Sequence, residues 1–286
     1  MNPKENKAPA FNIKCPVKHE VLQQEGYSIH YYTSGDPANE LIFFLHAAFA
    51  DHRNFDKQID HFSKNYRVVT IDLLGHGLSA VEKARDKIDA SVTHIALILQ
   101  SEGYEKAHFV GVSMGTLIAQ YFALLQPEKV LSMTVLGGYD INADNSKIVR
   151  AQRSEQFKWI FKALISMNSF RRYVSKVSVS NSENQSRYFE MAGFFTLRSF
   201  ASMAGLAKVL QKRENIKRDY PLLILCGDKD LELAQRMNKK WHESDTTSLY
   251  SIIERAGHCA NMDNPEDFNR IVSAFINQIS NEKKIH

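Results

Sequence analysis

Apolar positions along this chain come in two alternating patterns. Leu41 to Leu45 is uninterrupted Leu-Ile-Phe-Phe-Leu, and Phe109 to Val112, Val130 to Leu136 and Leu222 to Cys226 are similar short runs. Compact apolar runs of this length predict strands covered on both faces. Tyr27 to Tyr32, Tyr66 to Ile71 and Leu249 to Ile253 add aromatic and β-branched runs of strand length. Between them lie stretches of helical spacing: Phe55 to Phe62, Ile88 to Leu99, Thr116 to Leu125, Leu231 to Trp241 and Pro265 to Ile279. In the second, Ile88, Val92, Ile95 and Leu99 form one stripe, and in the last Pro265 stands near the first turn. Strands and helices that alternate in this way predict an α/β protein with a mostly parallel sheet flanked by helices.

The alternation breaks between Ile141 and Arg218. No strand-like run occurs there until Pro221; instead Phe157, Trp159, Phe161, Phe170, Tyr173, Phe189, Phe194, Phe195 and Met203 recur at helical spacing. The interval carries 15 Lys/Arg against 5 Asp/Glu with Glu214 counted, so it is clearly positive while the rest of the chain is slightly negative. The pattern predicts a helical cap at 141–218 inserted into a core made of 1–140 and 219–286. The aromatics either pack the inserted helices together or line an apolar pocket.

Composition narrows the partners. The 286 residues are 44% apolar and 24% charged, as in ordinary globular chains, with a net charge of +4. That excess predicts no nucleic-acid partner, which calls for a dense basic stripe. The longest apolar runs are strand-length, well short of the roughly 20 residues of a membrane span. Met1 to Ala10 is polar, with Pro3 and Pro9, and lacks the apolar centre of a signal peptide. A cytoplasmic location is the expectation. Cys15, Cys226 and Cys259 are odd in number and lack metal-ligand spacing, which predicts reduced thiols. No metal or cofactor motif is present.

One segment carries chemistry. Residues 108 to 115 read His-Phe-Val-Gly-Val-Ser-Met-Gly, a strand running into Gly111-x-Ser113-x-Gly115 and then at once into a helix. A side chain at so sharp a turn is forced into strained backbone geometry, and glycines two positions away on either side remove the Cβ atoms that would collide. The turn lifts the serine hydroxyl clear of the sheet and aims a helix N-terminus at it. Farther on, His258 lies in Ala256-Gly257-His258, directly after a late strand and before the last helix.

With these features the sequence resembles the α/β-hydrolase superfamily over nearly its whole length, from about Val21 to Ile279. Asp72-x-x-Gly75-His76-Gly77-x-Ser79 matches a loop common after the fourth strand of that fold. The resemblance implies a nucleophilic Ser113, a base at His258 and an acid between them in chain order. The G-x-x-D pattern after Leu222 to Cys226 selects Asp230. Asp228 in the same turn and Asp140 after Gly138 are the other candidates. It also implies an oxyanion hole from the backbone N–H groups of Met114 and Ala48, the latter in His46-Ala47-Ala48-Phe49, where relatives usually have Gly at the Ala47 position. His46 is expected to hold this loop. Haloalkane dehalogenases and epoxide hydrolases of this fold carry Asp where this chain has Ser113. The expected activity is therefore metal-free hydrolysis of a small or medium carboxylic ester, lactone or thioester through an acyl-enzyme. Carbon–carbon bond hydrolysis or perhydrolysis on the same triad, or a small-molecule receptor keeping the fold, are the alternatives.

Overall fold

A computed structural model describes residues 13–81, 85–144, 158–211 and 218–285. Eight strands form one sheet: β1 (Lys18–Gln24), β2 (Tyr27–Ser34), β3 (Leu41–Leu45), β4 (Arg67–Ile71), β5 (Ala107–Val112), β6 (Val130–Leu136), β7 (Leu222–Gly227) and β8 (Leu249–Ile253). Their order is β1-β2-β4-β3-β5-β6-β7-β8. The six strands from β4 to β8 run parallel, and β1 and β2 join antiparallel at one edge.

The strands at the centre of the sheet are buried on both faces, and β3 among them is apolar throughout. In β3, Leu41, Phe43 and Leu45 enter one core with α2 (Ser91–Ser101) and α3 (Met114–Leu125). Ile42 and Phe44 enter the other core, with α1 (Asp56–Phe62) and α11 (Pro265–Ile285). Helix α9 (Glu232–Ser244) adds Trp241 to the first core.

Strand β1 lies outside the expected set. Its sequence, Lys-His-Glu-Val-Leu-Gln-Gln, has no buried residue and pairs on one side only. An edge strand held by backbone hydrogen bonds does not need the apolar pattern that reveals buried strands.

The stretch between β6 and β7 is helical among the described residues: α4 (158–165), α5 (Met167–Ser178), α6 (Ser182–Ala192), α7 (Ser199–Met203) and α8 (Leu206–Val209). Phe157 and Glu214 lie outside the described residues. Most of the remaining aromatics pack inward. Phe170 and Phe195 are buried, Phe200 is half-buried, and Phe49 of the core meets all three, at 5.1, 4.9 and 6.3 Å. Phe161 departs from the expectation, being 66% exposed.

Phe109 is fully buried between Phe43, 5.8 Å away, and Phe122, 4.9 Å away. Phe109→Ala is expected to lower stability by about 3–5 kcal/mol, read from denaturant unfolding.

Candidate active site

Ser113 occupies the turn between β5 and α3 with φ 50° and ψ −113°. That left-handed backbone is strained for a residue with a side chain. The chain fixes it from several sides. Ser113 N–H donates to Leu136 O at 2.8 Å, and Ser113 O accepts from Thr116 N at 3.0 Å and Thr116 Oγ1 at 2.6 Å. The flanking glycines allow the closeness. A Cβ on Gly111 would stand 2.7 Å from Thr116 Cα, and one on Gly115 would stand 2.0 Å from Leu45 O.

The structure brings Ser113, His258 and Asp230 together. His258 Nε2 lies 2.8 Å from Ser113 Oγ, and His258 Nδ1 lies 2.9 Å from Asp230 Oδ1 and 3.1 Å from Oδ2. With Nδ1 protonated toward the carboxylate, Nε2 is left as acceptor for the serine hydroxyl. Asp230 Oδ1 also accepts the Leu231 N–H at 2.7 Å, which fixes the carboxylate.

The other acid candidates do other work. Asp228 accepts the Ala256 N–H at 2.9 Å and so ties the β7 turn to the His258 loop. Asp140 accepts the Asn142 N–H at 2.9 Å within its own turn. His242 lies in α9 and pairs with Ser248 Oγ at 2.8 Å.

Opposite His258 stands the loop after β3. His46 accepts the Leu73 N–H on Nε2 at 3.0 Å and is fully buried, so it holds the loop as expected. The left-handed residue here is Phe49, at φ 67°, and Ala47 has no positive φ. Alanine in place of glycine is therefore compatible with the loop, because the strain falls two residues later. Ala47 N–H donates to Asn54 Oδ1 at 3.2 Å, and Ala47 O accepts from Ala50 N at 3.2 Å. Among the described residues, neither the Ala48 nor the Met114 N–H donates a hydrogen bond within the chain.

Several residues that shape this site carry no sequence signal. Tyr188 of α6 donates its hydroxyl to Ala48 O at 2.5 Å. Asp263 accepts the Gly257 N–H at 2.9 Å and the Ser180 N–H at 2.8 Å, and Cys259 N–H donates to Ser178 O at 2.8 Å. These bonds join the inserted helices to both site loops. Each is a lone polar residue in unremarkable sequence, recognisable only once the elements are in place.

A family model described as the alpha/beta hydrolase fold matches residues 40–162. The chain is 24% identical to human epoxide hydrolase 4, covering 96% of this chain and 82% of that protein. It is also 24% identical to 3-oxoadipate enol-lactonase 1 of Acinetobacter baylyi, covering 91% and 97%. A carboxylesterase structure from the thaumarchaeon Nitrososphaera gargenis superposes with a TM-score of 0.78 at 16% identity, over 92% of this chain and all of that one. The chain has the α/β-hydrolase fold and is similar in sequence to hydrolases that share it.

Burial and charge pull in opposite directions at His258. Burial alone would lower the His258 pKa, but the charge and hydrogen bond of Asp230 outweigh it and hold the value above the ordinary 6.5. The buried His52–Asp72 pair beneath the β3 loop behaves similarly. Burial would raise Asp72, yet charged His52 and hydrogen bonds from His52 N, His52 Nδ1 and Leu78 N keep it at about 2. Burial would lower His52, and Asp72 raises it instead. Asp51, His52 and Asp72 come close enough to share a metal ion. Asp72 is engaged by the donors just named, and Asp51 is paired with Arg53 at 2.6 Å.

Two outcomes follow from these pairs. Asp72→Ala leaves His52 buried without its counter-charge and is expected to cost about 3–5 kcal/mol in denaturant unfolding. The second concerns His258, whose raised folded value adds stability that is fully present below 6.5 and lost as pH rises through the folded pKa. Proton NMR titration should place the His258 midpoint above 6.5, and Asp230→Asn should move it downward because burial then acts alone.

Proposed function

We propose that this protein cleaves a small or medium carboxylic ester, lactone or thioester through a covalent acyl-enzyme. The observation that carries the reading is the continuous relay from Ser113 Oγ through His258 to Asp230, at 2.8 and 2.9 Å, with the serine held on a strained turn. The nucleophile is Ser113, the general base and acid is His258, and the orienting acid is Asp230.

In the first half-reaction Ser113 Oγ attacks the acyl carbon while its proton passes to His258 Nε2. The carbonyl oxygen becomes an anion, and the N–H groups of Met114 and Ala48 are the donors that receive it. Preset donors of this kind are worth about 2.7–4 kcal/mol each. The tetrahedral adduct collapses, the acyl–oxygen or acyl–sulfur bond breaks, and His258 returns the proton to the leaving group. In the second half, His258 takes a proton from water, the hydroxide attacks the acyl carbon, and Ser113 leaves with that proton restored. Free acid and free enzyme result, with no electrons gained or lost. Asp230 keeps its charge throughout and stabilises the imidazolium.

The same reading treats 1–140 and 219–286 as the hydrolase core and 141–218 as a cap that bounds the substrate. The enol-lactonase and carboxylesterase relatives support an acyl substrate. Three unpaired cysteines among the described residues suit a reducing, cytoplasmic setting.

A fluorophosphonate probe followed by peptide mapping should label Ser113 alone; no adduct, or an adduct on another residue, sinks the proposal. Asp230→Asn should lower kcat by about four orders of magnitude. Asp228→Asn keeps an oxygen to accept the Ala256 N–H and should leave kcat nearly unchanged.

A further inference from the structure

Helix α4 has two apolar faces, and only one of them is covered among the described residues. Trp159 and Ala163 point inward; Trp159 packs edge-on against Phe49 at 5.4 Å and Ala163 is buried. At about 100° per residue, Ile160, Phe161, Leu164 and Ile165 fall together on a neighbouring arc, and all four are exposed, by 38%, 66%, 66% and 70%. A soluble helix ordinarily turns polar residues to water. Four adjacent bulky apolar side chains facing outward on a single helix call for a surface that covers them.

The charge around this face says what the surface is. Lys158 and Lys162, both exposed, stand between this face and the inward Trp159, with the Lys162 ammonium over the Tyr173 ring, 5.1 Å from its centroid. No Asp or Glu occurs from Lys158 through Ser182, whereas Arg171, Arg172 and Lys176 continue the positive charge along α5. An apolar arc edged by lysines is the pattern of a helix lying in the plane of a lipid interface, with its ammonium groups at the headgroups. A second copy of the chain fits less well. Two such faces would bring their lysine borders together, and the four exposed apolar side chains supply little of the ~800 Å² that each partner of a stable pair buries.

We propose that the outward face of α4 is a docking surface for membranes bearing anionic headgroups, with Ile160, Phe161, Leu164 and Ile165 entering the boundary between headgroups and acyl chains. No helix among the described residues is long and apolar enough to cross a membrane, so the contact is peripheral. The inference does not depend on the reaction at Ser113.

The test is co-sedimentation of the full chain with two kinds of vesicle, phosphatidylcholine alone and phosphatidylcholine mixed with phosphatidylglycerol. Binding to the anionic vesicles is expected to be about tenfold or more tighter than to the neutral ones, and to weaken as salt is added. The double variant Phe161→Ser/Leu164→Ser should lose about tenfold or more of that binding. It should keep the wild-type circular dichroism and the wild-type hydrolysis of a water-soluble ester. Lys158→Glu/Lys162→Glu tests the electrostatic part independently, and should abolish the preference for anionic vesicles. Equal binding to both vesicles, or binding to neither, overturns the proposal. So does a wild-type dimer in sedimentation velocity that Phe161→Ser/Leu164→Ser converts to monomer without any vesicle binding, because that assigns the face to a second copy. A chain that binds vesicles yet takes no fluorophosphonate label leaves docking standing while the hydrolytic reading falls.

Discussion

A left-handed serine between a strand and a helix is costly, on the order of 1–3 kcal/mol, and the core of this protein is arranged around tolerating it. Ser113 stays at φ 50° because β6 bonds its N–H, Thr116 bonds its carbonyl, and two glycines let α3 press onto β3 and its own turn. The sheet supplies the rigidity. The buried strands β3 and β6 on either side of β5 leave it no freedom to relax the turn. What results is a hydroxyl fixed in position before any substrate arrives, which is the form of preorganisation that acyl transfer rewards.

Around that fixed point, two buried carboxylates act in different ways. Asp230 faces a histidine that is itself within reach of the serine, so its charge is transmitted to the reacting centre. Asp72 faces His52 and the backbone of two loops, so its charge is spent on holding the chain where β3 and β4 end. Both pair with a histidine, and both raise its pKa against the effect of burial. Only geometry tells them apart: one imidazole has its far nitrogen at a hydroxyl, and the other lies tilted against the Tyr32 ring, 3.7 Å between centroids.

Much of this was legible in the chain itself, and the physical reason is burial. Strands covered on both faces are rich in apolar residues, so β3 and β6 are visible as runs with the bounds they have in the fold. The turn at Ser113 is visible because its closeness excludes every Cβ at Gly111 and Gly115. Strand β1 was not visible, since an exposed edge is selected by backbone pairing alone. That the left-handed position of the β3 loop is Phe49 was not visible, since an aromatic residue carries no signal for positive φ. Tyr188 and Asp263 were equally hidden, because a single hydroxyl or carboxylate acquires meaning only from the distant backbone group it meets.

The bond from Tyr188 to Ala48 has a consequence for anyone who would re-engineer this protein. Inserted helices of this kind invite exchange as modules, on the view that they choose the substrate while the sheet does the chemistry. Here the boundary is not clean. The α6 hydroxyl grips the peptide next to the Ala48 N–H, the donor proposed for the oxyanion, and the α5 end and Ser180 beyond it bond to the loop that carries His258. A graft that brings in foreign helices without a hydroxyl at the Tyr188 position would alter the chemistry along with the specificity. Recombination in this architecture therefore has to treat a few cap residues as inherited with the core.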